Sequence, residues 1–380
     1  MAAERLTILA IADGRSIHTI RWARRLVERG HVLHVVSDRL GGEIAATGAA
    51  VHDVRALDRL TAVRGLRRLR FGAAIRNLAR RLDADVVHAH GLLPYAWWAA
   101  QAGVHPLVVS PWGRDVLLDA RKEPGRARAR RAFAAADHLV VNSQAILDAA
   151  VEVGADPSRV LHAIWHTRLD GFGPGRADRT GLRAELGWPA DALVVLSLRN
   201  FQRRTNIDVL VRAFDRVRRR VPEARLLLAA RAGETKAEIE ALVAELGLAE
   251  VVRFHRVEPE ALAPMVASAD VTVSIADTDS TPSSLLEAMA SGQPMIGGWC
   301  PSIDEWIRPG EGAEMVAPRD EDALVEALLK LLRDPELRRA YGTRNADVTR
   351  RRVAESGPAL EELYRDLAAR HRAEAFAPAG

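Results

Sequence analysis

The sequence predicts an α/β fold built from two Rossmann-like domains that face each other across a cleft. Short apolar strand segments alternate with amphipathic helices along the chain, which indicates parallel sheets. A Gly-rich polar stretch at 165–179 interrupts this alternation and is typical of a linker. With 380 residues and 48% hydrophobic content, the chain is long enough for two cores. We expect domains at 1–170 and 171–350, followed by a C-terminal helical segment at 351–380.

The first half begins with a strand and continues as a strand–helix series. An apolar run at 6–12 precedes a helical pattern at 18–29, and Gly30 fits the position after a helix end. The remaining strands of this half are expected at 31–37, 51–54, 85–90, 107–110 and 138–142.

The second half repeats the pattern after the linker. Its strands are expected at 192–198, 224–230, 251–257, 271–276 and 293–298. Apolar residues recur at helical spacing between Ile207 and Val217, and the chain reads as helical from about Asp320. In such sheets ligands bind at the carboxyl ends of the strands, which makes a cleft between the two domains the expected site.

Composition limits the setting of the protein. The single Cys300 excludes an intrachain disulfide framework and fits a reducing cytoplasm. The first apolar run is short and preceded by Glu4, which favours a buried strand over a signal peptide. No segment reaches the roughly 20 apolar residues that span a bilayer. We therefore expect a cytoplasmic protein.

The most informative stretch is 274–305, in which a helix start lies among five acids and three of these acids are site candidates. Asp279 precedes the helix and Glu287 lies eight residues further on, while Glu305 follows the next strand. Thr281 is a good N-cap residue, and the proline after it suits the first helical position. The next backbone N–H groups would form a phosphate site at the positive helix end; they belong to Ser283, Ser284 and Leu285.

Two readings of this stretch remain open at the level of residue type. In the first, a diphosphate binds the helix start and Glu287 accepts hydrogen bonds from the ribose of the same nucleotide. In the second, the stretch is an ordinary α/β turn, with Asp279 and Thr281 as caps and Glu287 as a solvated helix residue.

This stretch resembles the E-x7-E signature region of the retaining family 4 glycosyltransferases, which have the GT-B fold and belong to the glycosyl transferases group 1. Asp279 falls on the first signature acid, Glu287 on the second, and Glu305 on a further acid of the family. The segment LLEAMASGQPMI follows the family pattern closely. Weaker matches occur in the family's order at 21–37, 83–94, 108–118, 134–144, 165–174, 206–214 and 311–334.

The chain departs from the family at several positions. Its first signature acid is Asp rather than Glu. Arg199 fits the family's donor-phosphate Arg, but the Lys that follows it in many members falls near Thr205, so Arg203 or Arg204 is expected to substitute. The family's first glycine-rich loop is reduced to residues 13–16. His166 and Arg168 replace the family's Gly and Asp in the interdomain segment, and Pro301 and Ser302 replace its glycine pair.

The resemblance implies a metal-independent transfer of a hexose-type sugar from a nucleotide diphosphate sugar, most often of the UDP or GDP type. No other cofactor is implied. Arg199 would grip the diphosphate and Asp279 would face the donor sugar. The other donor-binding residues would be Arg204, Thr281, Ser283, Ser284, Leu285, Glu287 and Glu305. The acceptor would be a glycan, a lipid-linked molecule or a small molecule.

The acceptor side is expected in the first half. His90, at the end of a strand, is the candidate catalytic contact, whereas His88 within the same strand is interpreted as structural. Asp115 would orient an acceptor hydroxyl, and Gly14 would allow a close backbone approach near the donor phosphate. His18, at the next helix start, is a further acceptor-side candidate. The His-x-His pair suggests metal ligands too, but no Cys or carboxylate follows at ligand spacing.

Two segments of the chain, 55–81 and 121–131, are rich in Arg. Leu, Val and Phe residues are interleaved with the arginines of the first segment. The two segments fit either a solvated face or peripheral contact with the inner face of an anionic membrane. Nucleic acid is not expected as a partner, because the segments lack stacking aromatics.

Three other functions compete with the transferase. A non-catalytic GT-B protein that binds a ligand or partner is compatible with the departures from the family. A sugar-nucleotide epimerase is disfavoured by the Asp279 and Glu287 pattern. A Rossmann oxidoreductase is disfavoured because no G-x-G-x-x-G follows the first strand.

Overall fold

A computed structural model describes residues 4–57, 67–165, 167, 169–230, 233–256 and 259–375 of the chain. The chain forms two compact units. Unit 1 comprises the residues up to Arg168 together with those from Val353 onward, and unit 2 comprises Leu169–Arg352. Each unit has its own apolar core.

Unit 1 is built on a seven-stranded parallel sheet in the order β3-β2-β1-β4-β5-β6-β7. Its strands are β1 (Thr7–Ile11), β2 (Val32–Ser37), β3 (Ala50–Asp53), β4 (Val86–His90), β5 (Leu107–Ser110), β6 (His138–Val141) and β7 (Val160–His162). Its helices are α1 (Ile17–Glu28), α2 (Gly42–Ala45), α3 (Val54–Leu57), α4 (Arg67–Leu82), α5 (Trp97–Ala102), α6 (Arg114–Leu117), α7 (Gly125–Ala135) and α8 (Gln144–Val153).

Unit 2 repeats this architecture with the strand order β10-β9-β8-β11-β12-β14-β13. Its strands are β8 (Leu193–Ser197), β9 (Ala224–Ala229), β10 (Val252–His255), β11 (Val271–Ser274), β12 (Met295–Gly298), β13 (Arg308–Pro309) and β14 (Gly312–Val316). Its helices are α9 (Arg179–Glu185), α10 (Ile207–Arg218), α11 (Lys236–Glu245), α12 (Pro259–Ser268), α13 (Ser283–Ala290), α14 (Pro301–Asp304) and α15 (Glu321–Arg333), and α16 (Pro335–Ala375) passes from unit 2 into unit 1.

The local sequence explains where these elements form. Strands β1, β4, β8 and β11 are mostly apolar and are buried almost throughout, because helices cover both faces of a parallel sheet. Side-chain caps begin three helices: Ser143 for α8, Asp178 for α9 and Asp320 for α15. Gly30 follows α1 with φ +89°, the left-handed conformation that favours glycine.

The predicted α/β class with two Rossmann-like sheets is confirmed, and the expected strands lie within one or two residues of the observed ones. Three strands were missed: β7, β13 and β14. The first two have only three and two residues, and β14 contains Gly312 and Glu314, so none shows a clear apolar period. The described part of the chain ends in a single helix of 41 residues that contains Pro358 and begins at Pro335, before the expected helical segment at 351–380.

The final part of α16 packs on unit 1. Tyr364 is fully buried, and its hydroxyl forms a hydrogen bond with His88 Nδ1 at 2.5 Å. Glu361 is also buried and pairs with Arg29 and Arg365. Arg372 pairs with Asp85 at 2.9 Å, just before β4. Within the described residues, no helix combines the length and apolar character needed to cross a membrane.

Both sheets contain a point at which the strand order reverses. In unit 1 it lies between β1 and β4, where Ile8 pairs with Val86. In unit 2 it lies between β8 and β11, where Leu196 pairs with Thr272. Ligands of doubly wound sheets bind outside the carboxyl ends of the strands at this point. We therefore expect functional side chains at the carboxyl ends of the strands beside these two reversal points.

Candidate active site

The reversal point of unit 2 brings together two residues that are far apart in sequence. Arg199 lies just beyond β8 and Asp279 lies in the loop after the neighbouring strand β11. The Arg199 guanidinium forms an ion pair with the Asp279 carboxylate through Nη2. Its Nη1 donates to Ser284 Oγ at 3.3 Å, at the start of α13. One cation therefore contacts both the acid and the helix start.

The pair is shielded from solvent. The Arg199 side chain is 10% exposed and the Asp279 side chain 13% exposed, so their charges are screened less than those of a surface pair. Within the described part of the chain, Arg199 Nε has no hydrogen-bond partner. A buried donor without a partner is uncommon in folded proteins, and a bound oxygen ligand would satisfy it.

The structure distinguishes between the two arginines considered as substitutes for the missing lysine. Arg204 lies near the pair: its Nη1 is 3.8 Å from Asp279 Oδ2 and donates to Thr278 O at 2.9 Å. Arg203 is exposed and pairs with Glu238 at 2.9 Å. Thr205, at the lysine position, is buried and forms a reciprocal cap with Gln202. Arg204 is thus the second cation of the site.

Two residues that the sequence did not single out join the loops after β8 and β11. Asn206 has φ 53°, and its Nδ2 donates to Ile275 O at 2.9 Å and to Asp277 Oδ1 at 2.8 Å. Burial raises the pKa of Asp277, but hydrogen bonds from Arg319 and Asn206 outweigh it and hold the pKa below its usual value.

The helix start differs from the expectation. Helix α13 begins at Ser283, with Pro282 rather than Thr281 at the N-cap position. The Thr281 hydroxyl instead accepts a hydrogen bond from Trp306 Nε1 at 3.2 Å. The prediction that the Leu285 N–H is unpaired is wrong, because this group donates to Pro282 O at 3.1 Å. Contacts of Ser283 and Ser284 with a phosphate stay predictions.

Glu287 and Glu305, the other two acids predicted for the donor site, occupy different settings. Glu287 lies one turn into α13 and is 4% exposed, which excludes the reading as a solvated helix residue. Its contact with a ribose stays a prediction. Glu305 ends α14, and its carbonyl oxygen accepts from Arg352 Nη1 at 2.6 Å. Burial lowers the pKa of Arg352, and the charge of Glu305 opposes that shift.

His90 lies at the reversal point of unit 1 in an aromatic enclosure. Its ring centroid is 4.3 Å from that of Trp22 and 4.4 Å from those of Trp165 and His88. Only 1% of His90 is exposed, so its side chain does not face open solvent. The catalytic contact of His90 with an acceptor stays a prediction.

His88 has the structural role that its position in the strand indicated. Its Nδ1 forms a hydrogen bond with the Tyr364 hydroxyl at 2.5 Å, and its Nε2 with Ser110 Oγ at 2.7 Å. Burial lowers the pKa of His88 to about 3, so the ring is neutral near neutral pH. It ties β4 to β5 and to the end of α16.

The structure also places the remaining acceptor-side candidates. The Gly14 N–H donates to Ser37 Oγ at 3.1 Å, and a Cβ at this position would lie 2.9 Å from Arg39 O. Gly14 thus permits a close approach, but to the backbone after β2. The His18 ring packs edge-on against Trp112 with centroids 5.4 Å apart. The contact of Gly14 with a phosphate stays a prediction, and so does the acceptor-side role of His18.

Asp115 organises a loop of unit 1. Its carboxylate accepts backbone hydrogen bonds from the N–H groups of Leu92, Trp112, Gly113 and Val116, at 2.5 to 3.0 Å. Burial raises the pKa of Asp115, and these four hydrogen bonds act in the opposite direction. Both carboxylate oxygens are engaged with backbone. The observed role is therefore structural, and it leaves the expected contact with an acceptor hydroxyl without support.

The Arg-rich segments are only partly covered. Residues 58–66, His166 and Arg168 lie outside the described residues. In the second segment, Arg128 lies over the Trp97 ring at 5.1 Å, and Arg121 pairs with Glu152 at 3.4 Å. Leu118, just before this segment, is 44% exposed. Contact with a membrane surface stays a prediction.

The chemistry available in unit 2 is that of an anion site beside an acid. Two guanidinium groups and a helix start converge on the Asp279 loop, so a diphosphate would find charged and backbone donors together. The carboxylate next to them can accept hydrogen bonds from hydroxyl groups.

Two family models match the chain. Residues 178–348 match the model described as "Glycosyl transferases group 1", and residues 7–143 match "Glycosyl transferase 4-like". The first match covers most of unit 2, including Arg199 and Asp279. The second covers most of the sheet of unit 1.

Similar proteins agree with this assignment. The chain is 29% identical to a D-inositol 3-phosphate glycosyltransferase from Geodermatophilus obscurus, over 88% of this chain and 81% of that one. It is 23% identical to an N-acetyl-alpha-D-glucosaminyl L-malate synthase from Bacillus anthracis, over 89% and 90%. The crystal structure of Anabaena Alr3699/HepE in complex with UDP-glucose superposes with a TM-score of 0.79 at 17% identity, over 96% of this chain and all of that one (100%), which shows a shared fold. The chain belongs to the GT-B glycosyltransferases with a group 1 domain.

Proposed function

We propose that this glycosyltransferase moves a hexose-type sugar from a nucleoside diphosphate sugar of the UDP or GDP type, with retention of configuration. The observation that carries the proposal is the cluster of Arg199, Asp279 and Ser284 at the reversal point of unit 2. The UDP-glucose complex of Anabaena HepE, a protein of the same fold, is compatible with this choice of donor.

In the proposed reaction, the bond between the anomeric carbon and the diphosphate oxygen breaks and the acceptor oxygen bonds to that carbon. The acceptor proton moves to the departing diphosphate. The sugar passes through an oxocarbenium-like state while the diphosphate gains negative charge. Arg199 and Arg204 would stabilise this charge from fixed positions, in place of a metal ion. Asp279 would hold the sugar through its hydroxyl groups.

The ion pair has a further use in this scheme. Without donor, Asp279 holds the Arg199 guanidinium in a fixed orientation at the end of β8. When a diphosphate binds, the unpartnered Nε and the rest of the guanidinium face an additional anion. The donor therefore meets a cation that is already oriented, which lowers the ordering cost of binding.

The acceptor is proposed only as a class. The names of two relatives refer to inositol phosphate and to malate, which are small hydroxyl-bearing anions. We propose a hydroxyl acceptor, with a small molecule as the first choice and a glycan or lipid-linked molecule as further choices. The choice of acceptor depends on unit 1, in which His90 and Asp115 are both enclosed.

Calorimetric titration with UDP-, GDP- and ADP-sugars, followed by transfer assays with acceptors from each class, tests the proposal. We expect saturable binding of one base type and transfer to at least one acceptor. Binding without transfer to any acceptor would favour a non-catalytic GT-B binding protein. The absence of binding by all three donor types would refute the nucleotide-sugar site.

The Asp279→Asn substitution is the sharpest single change. It keeps the shape of the side chain and removes its charge, so transfer should fall about 100-fold or more if Asp279 stabilises the reacting sugar. The measurement is the initial rate at saturating donor. Asp208→Asn, at an exposed acid in α10 that pairs with Arg212, serves as the matched control and should keep the wild-type rate. A near-normal rate for Asp279→Asn would contradict the assignment.

A further inference from the structure

The loop that carries Asp279 is held from one side by the segment 300–306. Trp306 Nε1 donates to Thr281 Oγ1 at 3.2 Å, and Cys300 Sγ lies 3.8 Å from Asp279 O. Both contacts come from side chains. Cys300 and Trp306 lie on either side of Pro301 and Ser302 in the chain.

The bond between Trp306 and Thr281 lies in the interior. Thr281 is 1% exposed and Trp306 is 4% exposed, so water cannot replace either partner at little cost. A buried polar group that loses its partner costs about 1–3 kcal/mol in folded proteins. Pro282, and not Thr281, occupies the N-cap position of α13.

The indole ring is itself fixed from its other face. The Arg352 guanidinium lies 3.8 Å from the Trp306 ring centroid, within the range of a cation–π contact. The same guanidinium donates to the carbonyl of Glu305, the residue before Trp306, at 2.6 Å. Arg352 belongs to α16 and is the last residue of unit 2. The ring is thus held between a long helix and the Asp279 loop.

We propose that Trp306 is a positioning residue, which acts through Thr281 to set the geometry of the donor site. Thr281 lies between Asp279 and Ser284 in the chain, and both of these residues contact Arg199. A change in the backbone at Thr281 would alter both contacts at once. The inference rests on the proposed function, because the geometry in question is that of the proposed diphosphate site.

The test measures the affinity of the full chain for UDP and GDP by calorimetry in single and double variants. Trp306→Phe removes the indole N–H and keeps an aromatic ring, and Thr281→Val removes the hydroxyl and keeps the shape. Each should weaken binding of the preferred nucleotide about tenfold, in line with the cost of a buried unpaired group. The double variant should be no weaker than the weaker single variant, because both changes break one bond. Thr281→Ser, which keeps a hydroxyl, should restore most of the affinity.

Trp188→Phe is the matched control within unit 2. Trp188 is buried, its Nε1 has no hydrogen-bond partner among the described residues, and Arg253 lies 6.0 Å from its ring centroid. The same substitution there removes an indole near an arginine without breaking a hydrogen bond. Affinity should remain that of the wild type.

The outcomes separate the inference from the function on which it rests. Wild-type binding with unchanged affinity in Trp306→Phe and Thr281→Val would overturn the positioning role, as would fully additive losses in the double variant. Equal losses in Trp306→Phe and Trp188→Phe would also overturn it, since they would report general destabilisation. If Trp306→Phe does not fold, the comparison of Thr281→Val with Thr281→Ser decides alone. No binding by the wild-type chain would instead refute the proposed function.

Discussion

The two sheets of this chain have the same number of parallel strands and differ in strand order only at one end, where the last two strands of unit 2 are exchanged, yet their reversal points differ in chemistry. In unit 2 the edge carries a mostly buried ion pair and a second guanidinium. In unit 1 the corresponding edge is filled by the rings of His90, Trp22 and Trp165. The fold provides an equivalent edge twice, and the side chains decide which edge can hold an anion.

The use of acids differs in the same way. Asp279 pairs with a side chain that a ligand can compete for, whereas Asp115 accepts four backbone hydrogen bonds inside its loop. An acid near a strand end therefore pairs with a guanidinium in one unit and with backbone N–H groups in the other. Substitutions should separate the two cases, because one changes affinity and the other changes stability.

The largest effect is expected at Asp115. Asp115→Ala leaves four buried N–H groups without their acceptor and should lower the free energy of unfolding by about 4 kcal/mol, given the cost of each unmade bond. Urea denaturation followed by tryptophan fluorescence measures it. Asp119→Asn, at an exposed acid nearby, should change little. Nucleotide affinity at low temperature should persist in Asp115→Ala, and its loss without destabilisation would show that Asp115 takes part in binding.

The next effect is expected at Arg199. Arg199→Ala removes charge-assisted hydrogen bonds to the diphosphate and should weaken nucleotide binding about 100-fold. Arg199→Lys keeps the charge but loses the planar fork, so it should recover only part of the affinity. Calorimetry measures both. Arg203→Ala, at the exposed neighbour that pairs with Glu238, should bind as the wild type does. Equal losses at both arginines would argue against a specific diphosphate contact.

The smallest effect is the pH dependence of stability due to His88. Its pKa is about 3 in the folded chain, below the 6.5 of an unperturbed histidine. The unfolded chain therefore binds more protons between these values, and stability present above pH 6.5 is lost as the pH falls. The loss should approach about 2 kcal/mol between pH 6.5 and 5, at about 1.4 kcal/mol per pH unit. The measurement is urea denaturation at several pH values.

Two variants separate this effect from other sources of acid sensitivity. His88→Gln should flatten the pH dependence, whereas His162→Gln, at an exposed position, should leave it unchanged. Burial also lowers the pKa of His31, His34, His52 and His138, so part of the slope remains in His88→Gln. An identical slope in His88→Gln and wild type would contradict the assignment to His88.

Much of the fold followed from local patterns. Apolar runs bounded by glycine and polar residues predicted most strands, because a parallel strand that is buried on both faces is mostly apolar. The short strands β7, β13 and β14 escaped because their pairing comes from the neighbouring strand rather than from their own composition. Propensity cannot report a contact with a distant segment.

The site was predicted in part. The sequence indicated Arg199, Arg204 and Asp279, and the structure brings them together. It could not rank Arg203 against Arg204, since neighbouring residues point in different directions only once the loop has a conformation. It also missed Trp306, whose hydrogen bond changes the start of α13.

By itself, the sequence determined the α/β class, the division into two Rossmann-like sheets, the family, and the acid and cation that belong to the candidate donor site. These properties depend on local periodicity and on a motif within a short stretch. Only the tertiary structure decided that Thr281 bonds to Trp306 instead of capping α13, that Asp115 serves the backbone, and that His90 is enclosed by rings. The reason is that a buried polar group takes the partner that packing places beside it, and that partner is often distant in the chain.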